Sequence, residues 1–122
     1  MPQAIRINRA GQIVALDNPA KVSKRNSEDV LWIDTENGGA WTITFDKQSN
    51  DPSTYPVAPG SPFSEDYYVI ERGASHGSTG GPVRGQVGRT YRYNVRRGKN
   101  QADPSDYATL TVTHDPDVDV ES

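Results

Sequence analysis

The sequence predicts an all-β fold, a Greek-key β-sandwich of about eight or nine strands forming one domain over residues 1–122. Three observations carry that reading. Apolar and polar residues alternate with period two in short stretches, as in WTITFD (41–46), RTYRYNVR (89–96) and ATLTVT (108–113), while DVLWID (29–34) is the near-continuous apolar run of a strand buried on most of its length. Each stretch is bounded by Gly, Pro, Asn or Asp, the residues that turns require. No segment shows the apolar spacing of an amphipathic helix, an internal repeat or a heptad.

Taken in order, Ala4 to Asn8 places Ile5 and Ile7 on one face, and Arg9-Ala10-Gly11 turns into a second strand over Gln12 to Asp17. Asn18-Pro19 breaks it, and Ala20 to Ser27 reads as a short edge strand around Val22 that runs into a polar turn. Asp29 to Asp46 is the centre of the pattern, two strands joined by Asn37, Gly38 and Gly39, residues suited to the positive φ of a tight connection. Trp32 lies in the more apolar strand and is expected in the core. Lys47 to Pro62 carries Pro52, Pro56, Pro59 and Pro62 and excludes a helix. Glu65 to Glu71 is a strand, and Gly73 to Gly88 is a glycine-rich loop with Val83 and Val87 as its apolar anchors. Arg89 to Arg97 is a strand with Tyr91, Tyr93 and Val95 facing inward. A polar loop from Gly98 to Asp106 leads to Ala108–Thr113, with a last short strand at Val118 and Val120.

Composition narrows the function classes. A hydrophobic content of 33% implies a thin core with generous loops. A formal charge of -3 and pI near 5.3 argue against a dedicated nucleic-acid binder. Without cysteine there is no disulfide, thiolate nucleophile or zinc-finger site. No apolar run approaches the ~18 residues of a membrane span and no signal-peptide core opens the chain, so no membrane association is expected. The default compartment is cytoplasmic, or exported if a leader has been removed ahead of Met1.

The order of strands and three short motifs resemble the cupredoxins, the plastocyanin-like copper proteins. Pro19 to Ile33 looks like the strand pair before the first copper ligand. NGGAWTITFD (37–46) is similar to the turn and strand carrying the first histidine, and GRTYRYNV (88–95) to the aromatic strand that ends in the ligand cysteine. The resemblance spans roughly Gln12 to Val112. It implies a Greek-key cupredoxin-like sandwich without its metal, because Trp41 stands at the histidine position and Val95 at the cysteine position. The loop from Arg96 to Tyr107 holds neither the second histidine nor a methionine. A blue-copper site needs two imidazoles and a thiolate. No cofactor is therefore expected.

No catalytic constellation is legible. Gly77 to Val83, GSTGGPV, resembles the serine-protease nucleophile motif with Thr79 in the serine's place, yet the only histidines are His76 and His114 and the chain is too short for two barrels. His114 and the acidic run to Glu121 lack the glycine-turned loop that gathers calcium ligands. Arg84, Arg89, Arg92, Arg96, Arg97 and Lys99 concentrate positive charge around one hairpin, and alternation places Tyr91 and Tyr93 on the opposite face, away from any base-stacking role.

The expectation is a non-enzymatic interaction or assembly module, with a protein partner or a second copy of itself as ligand. The expected contact residues are Trp41, Tyr55, Phe63, Arg89, Arg92, Arg96 and Arg97. The surfaces considered are the Pro-rich loop 50–63, the glycine-rich loop 73–88 and the arginine face, with self-association through an edge at Asp117 to Glu121. The alternative is a carbohydrate or small-molecule binding domain using a partly exposed Trp41 with Tyr55, Phe63, Tyr67 and Tyr68 at the loop end.

Overall fold

The computed structural model describes residues 3–46, 60–98 and 104–114. It is all-β, with eight strands in two mixed sheets that pack as a sandwich: β1 Gln3–Ile7, β2 Ala20–Ser23, β3 Val30–Asp34, β4 Trp41–Phe45, β5 Tyr67–Ile70, β6 Ser75–Gly77, β7 Thr90–Arg97 and β8 Pro104–Thr113. The smaller sheet has the order β1-β3-β6 and the larger β2-β8-β7-β4-β5. The chain passes between layers repeatedly, so non-consecutive strands become neighbours. β1 pairs in parallel with β3, and β2 in parallel with β8.

Period-two alternation sets the faces as the sequence predicts. Val30 and Trp32 of β3, Ile43 and Phe45 of β4, Tyr91, Tyr93 and Val95 of β7, and Leu110 and Val112 of β8 are all buried. Trp32 joins the layers. From the smaller sheet its ring lies 5.5 Å from Tyr68 and 5.5 Å from Tyr93, and 6.3 Å from Phe45, all of the larger sheet. Phe63, from the segment before β5, closes the cluster 6.4 Å from Trp32.

Four expectations need correction. The strand predicted over Gln12 to Asp17 is a single bridge, Ile7 to Ile13, followed by a 3-10 turn at Ala15–Asp17. Asp17 is drawn inward there to hold Arg6, accepting from its backbone N–H at 2.8 Å and from the guanidinium at 2.8 and 3.0 Å. These donors, the guanidinium foremost, hold the Asp17 carboxyl below its ordinary range despite partial burial. The two central strands do not pair with each other: β3 and β4 lie in different sheets, and the connection crosses the sandwich. Of its residues only Asn37 has positive φ; Gly38 is required because a Cβ there would lie 2.6 Å from the Arg9 carbonyl oxygen.

The polar loop expected to run to Asp106 gives way to strand earlier, at Pro104, because pairing with β7 continues to the Arg96–Pro104 register past an irregularity between Val95 and Arg96. The glycine-rich loop contains β6, which pairs antiparallel with β3, and its supposed anchors Val83 and Val87 are exposed. Gly81 N–H donates to Asp29 at 2.7 Å and the Ser78 hydroxyl oxygen accepts from Val30 N–H at 3.0 Å, so polar contacts pin this segment. Gly77 permits the closest approach, since a Cβ there would lie 1.8 Å from the Val30 carbonyl oxygen. Gly77→Ala is therefore expected to cost about 1–3 kcal/mol by forcing β6 off β3. The denaturation midpoint should fall, and amide exchange should accelerate at Ser75–Gly77 before the rest of the sheet.

Candidate binding site

A buried carboxylate that alternation alone makes look like a strand boundary organises one end of the sandwich. Asp34, the last residue of β3, is almost fully buried. It accepts four hydrogen bonds, from Gly38 N–H at 3.1 Å, Gly39 N–H at 3.0 Å, Gly73 N–H at 2.8 Å and Trp41 Nε1 at 3.1 Å. Burial pushes its pKa up, but the donors, Gly73 and Gly39 foremost, outweigh burial and leave it below the ordinary carboxylate value. One side chain thus ties the β3–β4 crossing to the start of the glycine-rich segment and to the first residue of β4.

Arg97 closes the same end from above. β4 pairs with β7 so that Trp41 faces Arg97, and the guanidinium stacks 4.5 Å from the Trp41 ring centroid. Its Nη1 donates to the Gly38 carbonyl at 2.9 Å and its Nη2 to the Arg9 carbonyl at 3.4 Å. The Arg97 fork is held by an aromatic face and two backbone oxygens. Arg9 comes from the turn after β1, and Arg72 immediately precedes Gly73. These three arginines line a cavity of about 520 Å³ together with Asn37, Gly38 and Gly39, and no carboxylate among the described residues lines it.

The residues predicted as contacts divide unevenly. Trp41 is fully buried rather than partly exposed, because β4 alternation sets it inside with Ile43 and Phe45 and Asp34 satisfies its N–H. Phe63 is fully buried in the aromatic cluster around Trp32, and Tyr68 is buried as well. None of these can offer a stacking face for a sugar; Tyr67 is exposed, and Tyr55 lies outside the described residues.

The arginines do not form a single row. Arg97 shares the Trp41 side of the sheet, whereas Arg92 and Arg96 lie on the outer face. Arg92 is ion-paired with Asp46 and stacks 5.0 Å from the Tyr107 ring centroid, and Arg96 Nε donates to Asn94 at 2.8 Å. Arg89 is exposed and borders a separate cavity with Arg84, whose guanidinium pairs with Asp66 at 2.8 Å. Lys99 and the edge at Asp117 to Glu121, with Val118 and Val120, lie outside the described residues, as does most of the Pro-rich loop 50–63.

Tyr91 and Tyr93 are buried, so they are not stacking platforms for bases. Burial drives the Tyr93 hydroxyl well above its usual pKa. Thr79 is exposed, and His76 stacks against Tyr68 at 5.7 Å; among the described residues no hydrogen bond links Thr79 to His76. The His114 carbonyl accepts from the Ser23 hydroxyl at 3.0 Å. No cluster of three metal-ligating side chains occurs among the described residues, nor is any helix there long and apolar enough to cross a membrane.

Sequence reasoning missed Asp34, Arg9 and Arg72. The Asp34-to-Gly38 and Asp34-to-Gly39 bonds are local and leave a trace in the spacing of a carboxylate before paired glycines. The Gly73 donor and the meeting of Arg9, Arg72 and Arg97 join segments distant in sequence and leave none. Comparison with protein-family models, with curated proteins and with solved structures finds no match for this chain.

Proposed function

We propose that the chain is a non-enzymatic, metal-free domain of cupredoxin-like, Greek-key architecture that acts as a protein-interaction module, meeting an acidic partner through the end of the sandwich formed by Arg9, Arg72 and Arg97. The observation that carries the reading is the convergence of three arginines on one concave surface that no carboxylate among the described residues lines. Such a surface attracts acidic groups at long range and fixes their register at contact. The cupredoxin-like part of the reading draws support from the positions that the resemblance equates with copper ligands. Trp41 begins β4, Val95 lies near the end of β7, these strands are adjacent, and both side chains are apolar and buried. Indole and isopropyl groups supply no ligand for copper, and the chain has no cysteine, so the residues present do not fit the metal.

The test is calorimetric titration with poly-glutamate at two salt concentrations. Wild type should bind with an affinity that falls as salt rises, and Arg72→Glu should weaken binding at least about tenfold, or ~1.4 kcal/mol. Equal binding by the two proteins would sink the assignment of this surface. Light scattering over a concentration series would identify a second copy of the chain as the partner if it returned a defined oligomer.

A further inference from the structure

We infer that the cavity between Arg9, Arg72 and Arg97 seats one tetrahedral oxyanion, a phosphate or sulfate group; the inference rests on the reading of this end as the contact surface and names the group it takes. The two glycines in the lining both turn their N–H groups inward to Asp34, so the backbone of the crossing does not form an anion nest. Positive charge toward the cavity comes from guanidinium groups, with the Asn37 side chain beside them. Planar forks match phosphate-like oxygens in pairs, and three of them suit a group with more acceptor oxygens than a carboxylate has.

Arg97 is restrained by the Trp41 ring and by the carbonyls of Gly38 and Arg9, which engage two of its nitrogens and leave other N–H donors over. Arg72 is exposed, and no carboxylate among the described residues pairs with it. Its neighbour Gly73 is fixed by Asp34 and by close approach to Asn37, whose Oδ1 lies 2.6 Å from where a Gly73 Cβ would be. The loop bearing Arg72 and the loop touched by Arg97 are thus held by the same carboxylate, which lowers the ordering cost of closing both on a ligand.

The local negative charges do not cancel the site. Asp34 is buried behind Gly38 and Gly39 with its oxygens committed to four donors. Glu36 accepts the Arg9 backbone N–H at 2.7 Å but does not line the cavity, nor does Glu71 beside Arg72. The other arginine-bearing cavities differ in kind. That of Arg84 and Arg89 includes Asp66, and Arg92 is already paired with Asp46.

The experiment titrates the intact protein with sodium phosphate, sodium sulfate and sodium chloride at constant ionic strength, following amide and Arg Nε resonances by NMR and tryptophan emission beneath Arg97. A parallel series uses a phosphoserine peptide, its unphosphorylated counterpart and poly-glutamate. Saturable shifts confined to residues 9, 37–39, 72, 73 and 97 are expected with phosphate or sulfate at millimolar concentration and not with chloride. Arg72→Ala should weaken binding about tenfold, Arg72→Lys less, and Lys21→Ala, at an exposed site on β2, not at all.

Thermal denaturation of each variant separates loss of binding from loss of fold. Tighter binding of the phosphoserine peptide than of inorganic phosphate assigns the group to an esterified partner, and the reverse assigns it to a free ion. No saturable shift with either oxyanion, or equal shifts in Arg72→Ala, overturns the inference. Binding of poly-glutamate without oxyanion binding would overturn it while leaving the interaction reading intact. Oxyanion binding without poly-glutamate binding would do the opposite.

Discussion

Trp32→Ala is expected to lower stability by about 3–5 kcal/mol, the range for removing a large buried aromatic whose surroundings relax only in part. Trp32 reaches from the smaller sheet into the shared cluster, and its truncation removes contacts with Phe45, Phe63, Tyr68 and Tyr93 together. Because that cluster spans both layers, the loss weakens the join between sheets rather than one strand. Trp32→Phe provides the contrast. The indole N–H has no hydrogen-bond partner, so replacing it forfeits packing volume but no polar contact, and the cost should stay near 1–2 kcal/mol. Urea denaturation of both variants checks the pair, and equal losses would contradict a packing origin.

Asp34→Ala is the second large effect, about 3–4 kcal/mol, because it leaves the N–H groups of Gly38, Gly39 and Gly73 and the Trp41 Nε1 without their acceptor. An unsatisfied buried donor costs about 1–3 kcal/mol, and partial access of water to the loop N–H groups keeps the sum below four times that. The melting temperature should drop by roughly 10–15 °C. The same carboxylate gives a pH signature. Its folded pKa lies below the unfolded value of about 3.9, so the unfolded chain takes up the proton first. The stabilisation is complete above that unfolded value and is lost as pH falls through the folded one. Asp17, held by Arg6, acts in the same direction. The stability gap between wild type and Asp34→Asn should therefore be full at pH 6 and shrink below pH 4. A gap that persisted unchanged to pH 2 would show that Asp34 does not act as an anion.

What the sequence discloses is facing, and what it conceals is partnership. Alternation at Trp41 to Phe45 and Thr90 to Val95 identifies those strands and their buried sides, since burial selects side-chain chemistry residue by residue, and the apolar run Val30 to Ile33 identifies a strand without saying which side is buried. It is silent on which strand lies next to which, so β3 and β4, adjacent in sequence, read as paired although they belong to opposite layers. Ser75–Gly77 pairs through its backbone at a sheet edge with side chains largely at the surface, which leaves no apolar rhythm to detect. The candidate site was half visible. Arg97 stood out within a basic strand, but Arg72 and Arg9 are single charges in turns, and only the shared anchoring at Asp34 and Gly38 brings the three together.

The parallel pairing of β2 with β8, Ala20 against Leu110 through Ser23 against Thr113, has a consequence for vectorial synthesis. An edge strand made early in translation receives its neighbour only when one of the last described segments has left the ribosome. Until then Val22 and Ala20 have no sheet to join, and the β7 edge that β8 will occupy is open to other chains. Closure of so long a loop also puts the molecule among slow-folding topologies. Nascent chains halted before Pro104 should thus stay protease-sensitive throughout β2 and associate more readily than the released protein.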